Sequence, residues 1–93
     1  LLQRATSLIG DPGVVRGAIP PYSAARTRVE FEDVRLPVRT GPWRGLGAAP
    51  NVWAIETVMD ALARAARQDP VAFRLAHLPP GHGRLRRVLE QAA

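Results

Sequence analysis

The sequence predicts an α+β fold in which short extended strands lead into a Gly-rich turn and then two to three helices, a fragment of a larger cofactor-binding domain. Three observations carry that expectation: side-chain alternation across residues 26–39, three Gly and two Pro among the 11 residues from Thr40 to Pro50, and apolar residues at helical spacing from Val52 onward.

Residues 1–21 read as a loop-rich lead. Leu1, Leu2, Leu8 and Ile9 are apolar, but Gly10-Asp11-Pro12-Gly13, Gly17, Pro20 and Pro21 punctuate the stretch more often than any period repeats. Residues 22–39 read as strands. Thr27, Val29 and Phe31 alternate with Arg28, Glu30 and Glu32, the period of two expected of a half-buried strand over about 26–32. The run from Asp33 to Arg39 alternates again, but Pro37 has no N–H for a ladder, which makes this an edge strand or an extended arm. Val29, Phe31, Val34 and Leu36 are the residues against which helices would pack.

Residues 40–50 form a Gly/Pro-rich turn whose backbone can approach another group closely. Residues 51–93 are helical. Val52, Ile55, Met59, Leu62 and Ala66 fall on one face of a long helix that Pro50 or Asn51 opens. Asp60 and Arg64 stand four apart in the favourable acid-first order. Asp69-Pro70 is an N-cap followed by Pro at the first helical position; Val71, Phe73, Leu75 and Leu78 supply the apolar residues before Pro79-Pro80-Gly81 stops the helix. Leu85, Val88, Leu89 and Ala92 mark a third helix.

With 93 residues the chain is expected to be a single partial domain with little core to spare. Its 46% hydrophobic and 23% charged residues are ordinary for globular material, and no apolar run approaches the ~20 residues of a membrane span. Without cysteine, disulfides, thiol nucleophiles and Cys-based zinc sites are excluded. All 13 basic residues are Arg, against 8 acidic residues, for a net charge of +5. Arg84, Arg86 and Arg87 cluster near the C-terminus, and Arg26, Arg28, Arg35 and Arg39 lie along the strands. The strand arginines alternate with Glu30, Glu32 and Asp33, and no aromatic interleaves the last cluster as a stacking platform would, so nucleic acid is disfavoured as a partner.

Isolated chemistry is sparse. His77 and His82 have no third ligand beside them, so no metal site is assigned. Glu56 and Asp60 share a helix face as paired carboxylates can, and structural roles with Arg64 as partner are favoured. Ser7 and Ser23 lack a nucleophile pattern, and no catalytic residue is assigned. Gly45-Leu46-Gly47 lacks the remainder of a dinucleotide or phosphate-loop fingerprint. It does offer a glycine-loosened turn carrying Arg44, beside backbone N–H groups at a helix start, which suits an anionic or oxo group.

Taken together, Gly41-Pro42-Trp43-Arg44-Gly45-Leu46-Gly47, the run Asn51 to Ala63 and Asp69-Pro70-Val71-Ala72-Phe73-Arg74-Leu75 form an ordered set. This set resembles the molybdopterin-binding large subunit of the xanthine dehydrogenase/aldehyde oxidase family, the molybdenum hydroxylases. Trp43 before the Arg, Asn51 seven residues after it and Arg84-Leu85-Arg86-Arg87-Val88-Leu89 are most similar to the branch of isoquinoline 1-oxidoreductase beta subunits, over residues 22–93. The resemblance implies a fragment of an oxidoreductase that hydroxylates an aldehyde or N-heteroaromatic carbon with water as oxygen source. It implies that Trp43, Arg44, Gly45 and Leu46 contact a molybdenum–molybdopterin cofactor, in its cytosine dinucleotide form. Leu46 stands where xanthine-oxidising members carry an aromatic, which argues against purine stacking.

Glu56 and Asp60 match acidic positions read as structural. The implied partners are the remainder of the molybdopterin-binding subunit, an iron–sulfur subunit and a small aldehyde or heteroaromatic substrate, in the cytoplasm or periplasm of a bacterium. The family's catalytic Glu has no counterpart here, so the isolated chain is expected not to turn over substrate. The competing expectations are a small Arg-rich module binding nucleic acid or an acidic protein, and a remnant without function.

Overall fold

In the computed structural model, residues 13–93 are described; the expectations placed on residues 1–12, including Ser7 and the first apolar residues, lie outside them. The order of elements is α1 (Ala48–Ala65), α2 (Pro70–His77), a single 3-10 turn (Pro80–His82) and α3 (Gly83–Ala92). α1 packs on α2, and α2 on α3.

The predicted α+β class is overturned: the described residues contain three α-helices and no strand. The segment expected to form strands at 22–39 is an extended arm, and no residue from 24 to 42 makes a backbone hydrogen bond to another described residue. Alternation supplies a strand with two faces, but a strand persists only where a neighbouring backbone accepts and donates its ladder. Here none does. Beyond Tyr22, which packs on the helices, the arm residues expected to meet the helices are mostly exposed. Val34 is 65% exposed and Leu36 64%, and only Val29 of the four residues expected to meet the helices is half-buried. A radius of gyration of 15.4 Å exceeds the ~12 Å of a compact chain of this length, consistent with an arm that projects.

The helices follow their sequence signals closely. α1 starts at Ala48, slightly before the expected Pro50 or Asn51, because Gly47 enters in a helical conformation and Asn51 uses its side chain elsewhere. Its end is a Schellman turn: the Arg67 N–H donates to Arg64 O at 3.1 Å and the Gln68 N–H to Ala63 O at 2.9 Å, with Arg67 left-handed at φ 55°. α2 opens as expected, with the Asp69 carboxylate accepting from Val71 N at 3.1 Å and Ala72 N at 2.9 Å. α3 is tied back through Arg86, whose guanidinium donates to Leu75 O at 3.0 Å and Leu78 O at 3.3 Å, occupying carbonyls at the C-terminal end of α2.

The core is small: Met59, Ala63, Phe73 and Leu78 are buried, with Ile55 and Tyr22 packed against the first three. Met59 and Ile55 belong to the predicted stripe. Val52 and Leu62 of that stripe remain exposed, and Ala63, one residue on, is fully buried in the cluster with Phe73 of α2. Each large core side chain contributes about 1.5–3 kcal/mol, so a core this thin leaves a narrow margin over chain entropy. No described helix is long and apolar enough to cross a membrane.

Candidate functional site

The Trp43–Gly47 turn stands immediately before α1 and is built from two reversals. Leu46 N–H donates to Trp43 O at 2.9 Å and Ala48 N–H to Gly45 O at 3.1 Å. Gly45 at φ 89° and Leu46 at φ 52° are both left-handed. Gly45 suits that conformation, whereas Leu46 holds it at a cost of about 1–2 kcal/mol. The four residues singled out in the sequence therefore lie together on one projecting turn. Trp43 is 84% exposed, Arg44 is exposed, and a Cβ at Gly45 would meet nothing within 4 Å. Among the described residues Arg44 has no ion-pair or hydrogen-bond partner for its guanidinium.

The start of α1 is not the open donor surface that the sequence suggests. A turn at residues 13–17 sits against it, and the Gly47 N–H is taken by Gly13 O at 2.9 Å. The Asn51 side-chain amide donates to Val14 O at 3.1 Å and to Arg16 O at 3.0 Å. The fit is close: a Cβ on Gly47 would lie 2.0 Å from Val14 O, and one on Gly17, itself at φ 74°, would lie 3.0 Å from a Val52 methyl. The Arg44 guanidinium is thus available to an anionic group, while the Gly47 and Ala48 amides behind it are already bonded to carbonyls.

A polar cluster fastens the start of the arm to α1 and α2. Arg74 Nε donates to Glu56 Oε2 at 2.7 Å, its Nη2 to Glu56 O at 3.0 Å and to Asp60 at 2.8 Å, and its Nη1 to Pro70 O at 3.1 Å. Tyr22 completes it by donating its hydroxyl to Glu56 Oε1 at 2.8 Å. Burial and the adjacent Glu56 carboxylate push the Tyr22 phenol up to about 12. Burial by itself lowers Arg74, but hydrogen bonds and charge pairing with Glu56 and Asp60 outweigh it and raise the guanidinium above its ordinary value. The structural role expected of Glu56 and Asp60 is what the geometry shows. Their cation is Arg74 on α2, however, not Arg64 four residues along α1.

His77 caps its own helix through Nδ1 and Phe73 O, 2.7 Å apart, stacks on Phe73 at 4.3 Å between ring centres, and accepts from Ser23 N at 2.7 Å through its carbonyl. Of the arginines weighed for nucleic acid, Arg86 is committed to carbonyls of α2 and Arg28 pairs with Glu30 on the arm. An apolar groove of about 680 Å³ runs between α1 and the arm, lined by Tyr22, Ala54, Ile55, Val58, Met59 and Leu62 among others; the Arg44 turn lies outside it.

Comparison with curated proteins decides the family. A nicotinate dehydrogenase subunit of Pseudomonas putida is 46% identical over 63 residues, 68% of this chain. The beta subunit of isoquinoline 1-oxidoreductase of Brevundimonas diminuta is 36% identical over 85 residues, 88% of this chain. The chain is homologous to part of a molybdenum hydroxylase subunit. It spans 5% of the length of the first relative and 11% of the second. No family profile matches the chain, and no solved structure does. Set against this molybdenum hydroxylase segment, the sequence pattern had located the projecting turn and the carboxylates but missed Tyr22, Asn51, Gly47 and Arg74 as the groups that hold them. The signal for Arg74 was present: an Arg within an otherwise apolar face of a short helix, between Phe73 and Leu75, is a charge that must find partners.

Proposed function

We propose that this chain is part of the molybdopterin-binding subunit of an oxidoreductase that hydroxylates an aldehyde or N-heteroaromatic carbon with water as oxygen source, and that Trp43, Arg44, Gly45 and Leu46 are its cofactor-contacting turn. Both relatives are named for N-heteroaromatic compounds, nicotinate and isoquinoline, which favours the heteroaromatic class here. The observation that carries the role of the turn is the exposed Arg44 guanidinium without an acceptor among the described residues, beside a glycine whose open side admits a close backbone approach.

Those features fit a molybdenum–molybdopterin cofactor. Arg44 would bind its anionic oxygens through a planar fork of donors, Gly45 would permit contact with the backbone, Leu46 would present an apolar wall, and Trp43 an aromatic face. When bound, the cofactor supplies the redox chemistry; this chain supplies position and charge. The cytosine dinucleotide form belongs to the same proposal, as do an iron–sulfur subunit as electron acceptor and the remainder of the molybdopterin-binding subunit as the partner covering Trp53 and Val58, both exposed on α1.

The test is molybdenum and pterin analysis of the protein purified from its native host with whatever accompanies it, wild type against Arg44→Ala. Loss of one charge-assisted anchor is expected to lower cofactor content about tenfold at limiting molybdate. Equal content in both preparations refutes the role of Arg44. A wild-type chain that purifies alone, without metal or pterin, leaves only the ancestry.

A further inference from the structure

We propose that Asn51 and Gly47 are positioning residues: they latch the 13–17 turn onto the start of α1 and so hold the Trp43–Gly47 turn in the shape that presents Arg44. This inference rests on the cofactor role of Arg44 proposed above and extends it to two residues that would not touch the cofactor. The Trp43–Gly47 turn has two backbone hydrogen bonds of its own and carries a non-glycine residue, Leu46, at φ 52°. Such a conformation persists only when its surroundings enforce it. Among the described residues, the bonds that hold it from outside come from the 13–17 turn. The N–H of Gly47, directly after Leu46, is bonded to Gly13 O, and one helical turn on, Asn51 spans the carbonyls of Val14 and Arg16.

The chemistry at position 51 is unambiguous. Both groups facing the side chain are carbonyl oxygens, so only an NH2 with two hydrogens satisfies them together. Aspartate has the same shape and would turn both attractions into repulsions. At position 47 the requirement is steric rather than conformational. Gly47 has φ −68° and ψ −14°, which any residue adopts, yet a Cβ there would lie 2.0 Å from Val14 O and 2.6 Å from Val14 C, atoms of a backbone that cannot rotate aside. A glycine kept by contact alone marks the seat of the 13–17 turn.

The experiment measures amide hydrogen exchange and tryptic cleavage after Arg16 on the full chain, together with molybdenum and pterin content, in Asn51→Asp, Gly47→Ala and Arg44→Ala. Asn51→Ala keeps the comparison readable if the aspartate variant fails to fold. The latch predicts about tenfold faster exchange at the Gly47 amide and faster cleavage at Arg16 in the variants at 47 and 51, with exchange in α2 unchanged and cofactor content lowered as in Arg44→Ala. Unchanged exchange and cleavage at those sites overturn the latch. Faster local exchange with wild-type cofactor content, while Arg44→Ala loses cofactor, overturns the positioning role and leaves the cofactor contact standing. Wild-type content in Arg44→Ala refutes the cofactor contact itself, and the positioning role falls with it.

Discussion

Replacing Arg74 with Met should cost about 2–3 kcal/mol of folding stability, more than neutralising either carboxylate partner. The guanidinium makes four polar contacts between 2.7 and 3.1 Å, two to carboxylates and two to the backbone carbonyls of Glu56 and Pro70, from a side chain that is 11% exposed. A hydrogen bond to a charged group is worth roughly 1.5–3 kcal/mol when made, but burying the cation returns much of that gain. The carboxylates of Glu56 and Asp60 are 37% and 54% exposed, so water re-solvates them once Arg74 is gone, and the pair energies themselves are small. What is not recovered is the bridge between α1 and α2. Met fills a similar volume and avoids a cavity, which isolates the polar loss. Asp60→Asn should cost less than about 1 kcal/mol, with Glu56→Gln between the two. Urea unfolding followed by far-ultraviolet circular dichroism of the helices reads these values; at a slope of about 1 kcal/mol/M the Arg74 variant should lose about 2–3 M in its midpoint. A variant unfolded without urea satisfies the expectation only if Asp60→Asn stays folded. An Arg74→Met midpoint within about 0.5 M of wild type, or an Asp60→Asn as costly as Arg74→Met, would refute the cluster as the fastening between the helices.

Three further outcomes follow from the same geometry. Tyr22 is the sole tyrosine, so ultraviolet titration of the folded chain should find a single tyrosinate midpoint at about 12, falling toward the ordinary value near 10 in denaturant or in Glu56→Gln. Because the folded-state value is raised, the stability this group contributes is full below pH 10 and is lost as pH rises through 12; stability that grew across that window would contradict the assignment. Arg67→Gly should stabilise the chain by about 0.5–1 kcal/mol, read as a higher melting temperature, since residue 67 is the left-handed position of the Schellman turn; a lower melting temperature would show that the Arg side chain matters more than its strain. Asp69→Ala should remove about 1 kcal/mol and fray α2, visible as faster exchange at the Val71 and Ala72 amides, and protection retained at both would discount the cap.

The helices were legible because their signals are local. Asp69 before Pro70, apolar residues spaced three and four apart, and the Pro79-Pro80-Gly81 stop each act within one or two turns, and α1, α2 and α3 lie where those signals put them. The register of the α1 core was only half legible. Ile55 and Met59 follow from periodicity, but whether Leu62 or Ala63 faces α2 depends on how closely two helices approach, and that distance is set by the partner's side chains.

The arm and the turn were misread or incomplete for a common reason: their structure is decided by groups far away in sequence. Alternation from Thr27 to Arg39 is a true property of the chain, yet a strand is a hydrogen-bonded relation between two backbones, and no described backbone bonds to this one. Among the described residues, the arm's hydrogen bonds to the helices lie at its start, where Tyr22 reaches Glu56, 34 residues on, and Ser23 reaches His77, 54 residues on. The same holds at the candidate site. Arg44 and its glycine could be picked out as a candidate turn because their chemistry is intrinsic, whereas Asn51 reads as a helix cap in the sequence and its amide spans carbonyls 35 and 37 residues earlier. A cap would have accepted from an N–H at the start of α1, whereas the Asn51 amide donates to the 13–17 turn. Gly13 O takes the Gly47 N–H and Gly45 O the Ala48 N–H, and Arg44 is the cationic donor that the Trp43–Gly47 turn leaves available among the described residues, which is why the test of the site turns on that side chain rather than on the helix dipole.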